Sequence, residues 1–165
     1  MNMNKSICPV PQDQRPINEY LALKETFGFS WTTENDSAYY KTSLRTYFIT
    51  LTLFVLIFNT TSSSLSSLLT YSVLSVSLIL FIFYLRIYLG WNYIYIRLMQ
   101  ATVAYEESGW YDGQIWVKTP ETLIKDKLAA QYQVKPILDK IKNTLFAFSF
   151  LIFFTLYFIS ISDQI

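Results

Sequence analysis

Two stretches of the chain carry no charge at all. From Thr46 to Leu85 there are 40 consecutive residues without Asp, Glu, Lys or Arg, and from Asn143 to Ser162 there are 20 more. A helix of roughly 20 residues at about 1.5 Å per residue matches the ~30 Å hydrocarbon core of a bilayer. The first stretch is therefore long enough for two spans and the second for one. Within the first, Tyr47 to Phe58 is almost wholly apolar. Thr60, Thr61, Ser62, Ser63, Ser64, Ser66 and Ser67 then form an uncharged polar turn, and a second apolar run follows to Leu89. A tight helical hairpin satisfies the backbone of such a stretch inside lipid. The pattern predicts an all-α membrane protein with three transmembrane helices, a hairpin plus one, and a short helical segment between spans two and three.

The polar segments divide the rest. Residues 1–43 form an N-terminal arm, 44–89 the transmembrane hairpin, 90–142 an amphipathic segment, and 143–165 the third span with its tail. Pro9, Pro11 and Pro16 hold the start of the arm extended. Asn18 is placed to cap a short helix from Glu19 to about Phe27, stopped by Gly28. After Gly90, the residues Ile94, Leu98, Ala101 and Tyr105 fall at helical steps, with Gly109 as the stop. Asp112-Gly113 between aromatics suggests a tight turn or short hairpin. Thr119-Pro120-Glu121 begins a helix reaching about Gln133, and Pro136 begins the next, which enters the third span.

Charge gives an orientation. All 13 Lys and Arg lie between Lys5 and Arg45 or between Arg86 and Lys142. The positive-inside rule puts these segments in the cytoplasm or its plastid equivalent, the stroma, with the Ser/Thr turn and Asp163 opposite. Trp31, Trp91, Trp110 and Trp116 share the basic side. Tyr39, Tyr40, Tyr47, Tyr84, Tyr88 and Tyr93 sit where an interfacial belt belongs. Arg86 ends span two and can snorkel to the interface. The first 43 residues show neither the apolar core of a cleaved signal nor the acid-poor composition of a transit peptide.

Composition narrows the chemistry. A net charge of +1 speaks against nucleic-acid binding. With no His and a single Cys, the chain lacks the usual haem and zinc ligands and cannot form an internal disulfide. Nothing ionisable sits at mid-membrane, where a proton-coupled carrier needs an acid or His.

Two stretches carry a family likeness. One is Cys8-Pro9-Val10-Pro11-Gln12-Asp13-Gln14-Arg15-Pro16-Ile17-Asn18-Glu19-Tyr20. The other runs from Tyr105-Glu106-Glu107-Ser108-Gly109-Trp110-Tyr111-Asp112-Gly113-Gln114-Ile115-Trp116-Val117 to Lys118, with Tyr132-Gln133-Val134-Lys135-Pro136 behind it. They resemble the hypothetical chloroplast reading frame thirty-six family over nearly the whole chain. The resemblance implies a multi-pass membrane protein of the photosynthetic lineage. It gives a compartment, the thylakoid in preference to the inner envelope, and no mechanism or cofactor.

The candidate partner-binding residues are those of the two stretches: Cys8, Pro9, Arg15, Pro16, Asn18, Glu19, Tyr20, Glu106, Glu107, Gly109, Trp110, Tyr111, Asp112, Gly113 and Trp116. Cys8 is a reactive thiol or part of an extended strip docked on the loop; no neighbouring cation lowers its pKa. Glu106, Glu107 and Asp112 are metal ligands; more simply, Glu106 or Glu107 pairs with Arg15 or Arg97, or they are solvated. Trp110, Tyr111 and Trp116 stack a ligand or anchor the interface. The expectation is a non-enzymatic accessory factor, embedded in the bilayer and bound to a photosynthetic membrane complex under assembly or maintenance. The alternative is a membrane-bound enzyme or carrier of a pigment, quinone or metal at the stromal interface.

Overall fold

A computed structural model describes residues 9–59, 64–106 and 113–162. Helix α1 covers Pro16–Glu25 and the single turn α2 Phe27–Ser30. Helix α3 covers Asp36–Phe58 and α4 Leu65–Met99. Strands β1 (Thr102–Tyr105) and β2 (Gln114–Val117) follow. Helix α5 is Pro120–Ala129, a π-helical turn spans Ala130–Val134, and α6 is Lys135–Ser162. Three helical stretches are long and apolar enough to cross a membrane: Asp36–Phe58, Leu65–Met99 and Pro120–Ser162.

Several boundaries depart from the sequence pattern. Proline fixes φ and needs no N–H partner in a first helical turn, so α1 begins at Pro16, ahead of Asn18. Asn18 is inside the helix, and its side-chain amide donates to the Gln12 carbonyl at 2.7 Å. Gly28 lies within α2 instead of ending a helix. Ser64 directly precedes α4. Its Oγ accepts the Ser67 N–H at 3.3 Å, in the manner of an N-cap.

Gly90 does not interrupt α4. A glycine in a helix interior costs about 1 kcal/mol, and the buried side chains on either side, Ile87, Trp91 and Ile94, outweigh it. The helix then stops at Met99, ten residues before Gly109. The helical spacing that led to Tyr105 coincides there with a strand alternation. In β1, Val103 and Tyr105 are buried while Thr102 and Ala104 face out. The two strands pair antiparallel with Val103 opposite Trp116 and Tyr105 opposite Gln114. The segment between the second and third long helices is thus a hairpin followed by a helix: the strand pair agrees with the short hairpin suggested around Asp112-Gly113, and the helical face expected to run on to Tyr105 ends at Met99. The Asp112 turn lies outside the described residues, as do Thr60, Thr61, Ser62, Ser63 and Asp163.

Pro136 likewise fails to break its helix. It has no N–H for the usual i→i−4 bond, and its ring would crowd the preceding turn. The chain widens before it into the π turn, where the Lys135 N–H bonds the Ala130 carbonyl. That register change carries the helix past the proline without a break.

The described chain forms two compact units. One comprises residues 1–30 and 91–136, the other 31–90 and 137–165. Residues 31–43 of the expected arm therefore belong with the long helices. In the second unit, Tyr39 and Tyr84 are not belt residues. They are 0% and 2% exposed, because helix–helix packing gives their rings and hydroxyls better partners than an interface would. The Tyr39 hydroxyl meets Thr144 Oγ1 at 2.9 Å, and the Tyr84 hydroxyl donates to Ser43 Oγ at 2.8 Å. Trp31 stacks on Tyr39 at 5.3 Å and meets Tyr84 edge-on at 5.8 Å. Tyr40 and Tyr93 remain exposed.

Candidate interaction surface

The first unit brings the two distinctive stretches together. Val10 is buried with Val103 and Tyr105, with Trp116 packed against the cluster. The Tyr105 hydroxyl closes this face by donating to Gln114 Oε1 at 2.6 Å. Gln14 then fixes the register between arm and hairpin. Its side-chain amide donates to the Glu106 carbonyl at 3.0 Å, and its Oε1 accepts the Glu106 N–H at 2.9 Å. This reciprocal pair copies a strand ladder with a side chain in place of a backbone. Val10 and Gln14 thus hold the described part of the arm on the hairpin, while Cys8 of the Cys-Pro-Val-Pro segment lies outside the described residues.

Arg97 of α4 is the hub. Its guanidinium pairs with Glu19 of α1 at 2.8 Å and reaches the carbonyls of Gln14 at 3.2 Å and Ala104 at 3.4 Å. It also donates to the Tyr93 hydroxyl at 2.7 Å. The planar fork of an arginine suits such divergent acceptors. Its acidic partner is Glu19, where Glu106 or Glu107 was expected. Arg15 turns to its own segment and donates from Nε to the Val10 carbonyl at 3.1 Å.

Burial holds the Glu19 carboxyl above its usual range; Arg97 pulls it down and Asp13 pushes it up. One of its oxygens, Oε2, has no hydrogen-bond partner among the described residues. A carboxyl raised in the folded state contributes most below its ordinary value of 4.5. That contribution is lost as pH rises through the raised value. Burial against Trp91, with ring centroids 6.1 Å apart, raises the Tyr20 phenol as well.

Arg97→Ala removes the one influence that lowers the Glu19 carboxyl and strands several acceptors. Charged hydrogen bonds contribute roughly 1.5–3 kcal/mol each, so release of the arm rises on the order of tenfold or more. Trypsin cleavage after the exposed Lys24 is the readout. It accelerates in the variant, and more steeply than in the parent chain as pH rises from 4.5.

Lys118 is the site residue that the sequence hides among surface charges. It follows β2, its side chain is 1% exposed, and Nζ pairs with Asp126 of α5 at 2.7 Å. The same ammonium donates to the carbonyls of Arg97 at 3.0 Å and Leu98 at 3.2 Å, closing the C-terminus of α4. One cation thus joins α4, the hairpin and α5, and it sits where a helix end attracts positive charge.

Of the other candidates, Pro16 is buried, Pro9 is exposed, and Gly113 precedes β2 with open space around its Cα. Cys8, Glu107, Gly109, Trp110, Tyr111 and Asp112 lie outside the described residues. Among the described residues no three His, Cys, Asp or Glu side chains gather as a metal site. The outward face of the hairpin is apolar. Ile115 is 73% and Val117 67% exposed, and Ile124 and Leu128 on α5 and Tyr132 in the π turn are exposed too.

Residues 8–147 match the family model described as CGLD27-like, Conserved in the green lineage and diatoms 27. The chain belongs to this family. It is 46% identical over 149 residues to the uncharacterised protein ycf36 of Porphyra purpurea, covering 88% of this chain and 90% of that one. It is 44% identical over 153 residues to ycf36 of Guillardia theta, covering 92% and 98%. The Arabidopsis thaliana protein Conserved in the Green Lineage and Diatoms 27, chloroplastic, is 43% identical over 144 residues, 82% of this chain and 43% of the plant protein. No solved structure matches. The family resemblance carried by the arm and the 105–118 stretch is thereby confirmed.

Proposed function

We propose that the chain is a non-enzymatic accessory factor of a plastid membrane, with its first unit on the stromal side engaging a photosynthetic membrane complex during assembly or maintenance. The observation that carries this reading is the outward face of the hairpin. The outer edge of β1 is engaged at Ala104 and Glu106 by Arg97 and Gln14, which leaves the edge of β2, where Ile115 and Val117 stand exposed. Open edges and exposed apolar side chains are the ordinary materials of protein docking. Val10, Gln14, Arg97 and Lys118 hold that face in place from behind, as a rigid scaffold holds a binding segment.

Three further facts support the setting. Three helices have the length and composition to cross a bilayer. All 13 Lys and Arg lie outside the uncharged runs 46–85 and 143–162, a distribution that the positive-inside rule reads as a stromal basic side. The Arabidopsis relative is named as chloroplastic, and a thylakoid location fits a photosynthetic partner.

A photo-crosslinking residue at position 115 tests the reading in isolated plastid membranes. It yields an adduct with a membrane-complex subunit of defined mass, while the same probe at the exposed position 24 does not. Adducts with lipid alone at position 115 would contradict it.

A further inference from the structure

In the second unit, α3 and α6 flank a groove of about 480 Å³ whose walls include Leu44, Tyr47, Phe48, Ala147, Phe148 and Leu151. That volume is within the range of small-molecule sites. Tyr40 and the exposed Asn143 stand at its rim, and its floor includes the buried Ser43 and Thr144, whose hydroxyls are already engaged. Ser43 Oγ accepts from Tyr84 and donates to the Tyr39 carbonyl at 3.0 Å. Thr144 Oγ1 shares a hydrogen bond with the Tyr39 hydroxyl and donates to the Lys140 carbonyl at 3.1 Å. The floor therefore offers its occupant carbon surface, which suits an alkyl chain.

The groove is also short. From Tyr40 to Phe48 on α3 it extends about 12 Å along the helix axis, less than half of the ~30 Å hydrocarbon core. A partner helix would need an apolar seam running across most of the bilayer; one chain of one leaflet needs no more than this depth. Lys41 and Arg45 are exposed and directly follow the lining residues Tyr40 and Leu44. Four residues apart, they share one side of α3. Neither is in an ion pair among the described residues, whereas the nearby Lys140 is held by Asp36 at 3.1 Å. Basic positions at the cytoplasmic end of membrane helices are where anionic headgroups bind.

We propose that this groove binds an anionic glycerolipid, with one acyl chain along the α3–α6 wall and the headgroup on Lys41 and Arg45. The site goes beyond the accessory role. It rests only on the membrane insertion proposed above, which retention of the chain in carbonate-washed membranes checks by itself.

Native mass spectrometry of the purified full chain, with phosphatidylglycerol and phosphatidylcholine of identical acyl chains at equal concentration, tests it. The anionic lipid is retained one-to-one, with a preference on the order of tenfold for two interfacial cations. Lys41→Gln with Arg45→Gln abolishes the preference. Ala147→Phe fills the groove and removes the adduct while leaving both charges. Leu44→Trp, at an exposed wall position, repeats the blockade from the other helix should the first variant misfold. Equal retention of the two lipids would overturn the proposal. So would a preference that survives loss of both cations, an adduct that survives both blocking substitutions, or a dimer mass without lipid.

Discussion

Lys118→Ala lowers the opening free energy of the first unit by about 3–5 kcal/mol, the cost of leaving one member of a buried ion pair without the other. The lysine side chain is 1% exposed and that of Asp126 11%, so little water is at hand to replace the lost ammonium. The substitution also takes away the donor for the Arg97 and Leu98 carbonyls. Hydrogen exchange of the β1 and β2 amides measures the change, because the hairpin is held to the end of α4 through this residue. Lys118→Met combined with Asp126→Leu recovers most of the loss, since removing both charges lifts the burial penalty along with the attraction. A single substitution within 1 kcal/mol of the parent would show that the pair is solvated in the protein.

Trp91→Ala is expected to cost a comparable ~3–5 kcal/mol, the usual range for truncating a buried tryptophan. Trp91 is 0% exposed and packs against Tyr20 of α1, with Phe29 edge-on at 6.3 Å. Trp91→Phe keeps most of the apolar volume and costs less than half as much. Thermal unfolding of the purified chain ranks the two variants. Equal midpoints would place Trp91 at a lipid interface, where a smaller aromatic serves nearly as well.

That contrast shows what the sequence could and could not carry. The three long helices were legible because uncharged runs of 20 residues have one common physical use. Their precise ends were not. Gly90 and Pro136 are strong local signals for a break, and both were overruled, one by flanking core side chains and the other by a π turn. Tyr105 satisfied a helical and a strand period at once, and only pairing with Gln114 across the hairpin decided between them. Trp91, Tyr39 and Tyr84 have the chemistry of interfacial anchors; nothing in their own neighbourhoods reveals the distant partners that bury them.

The candidate site divides in the same way. The arm and the 105–118 stretch were visible as distinctive blocks, and the structure brings their described parts into one cluster. The polar joints were hidden. Glu19 and Arg97 are 78 positions apart, and Lys118 resembles every other lysine on the basic side. A clue to Lys118 existed in its place directly after the apolar run Ile115-Trp116-Val117, where a charge marks either the edge of the sheet or a buried tie.

The central claim is that the first unit joins this chain to a membrane complex through the outward hairpin face. Its most direct test is the native size of the tagged chain after gentle solubilisation of plastid membranes, alongside an Ile115→Glu, Val117→Glu variant. The expected result is a parent chain that migrates and co-purifies with subunits of a photosynthetic complex, and a variant that stays in the membrane but loses them. A parent chain recovered alone, as a 19.3 kDa protein in its detergent micelle, would contradict the account.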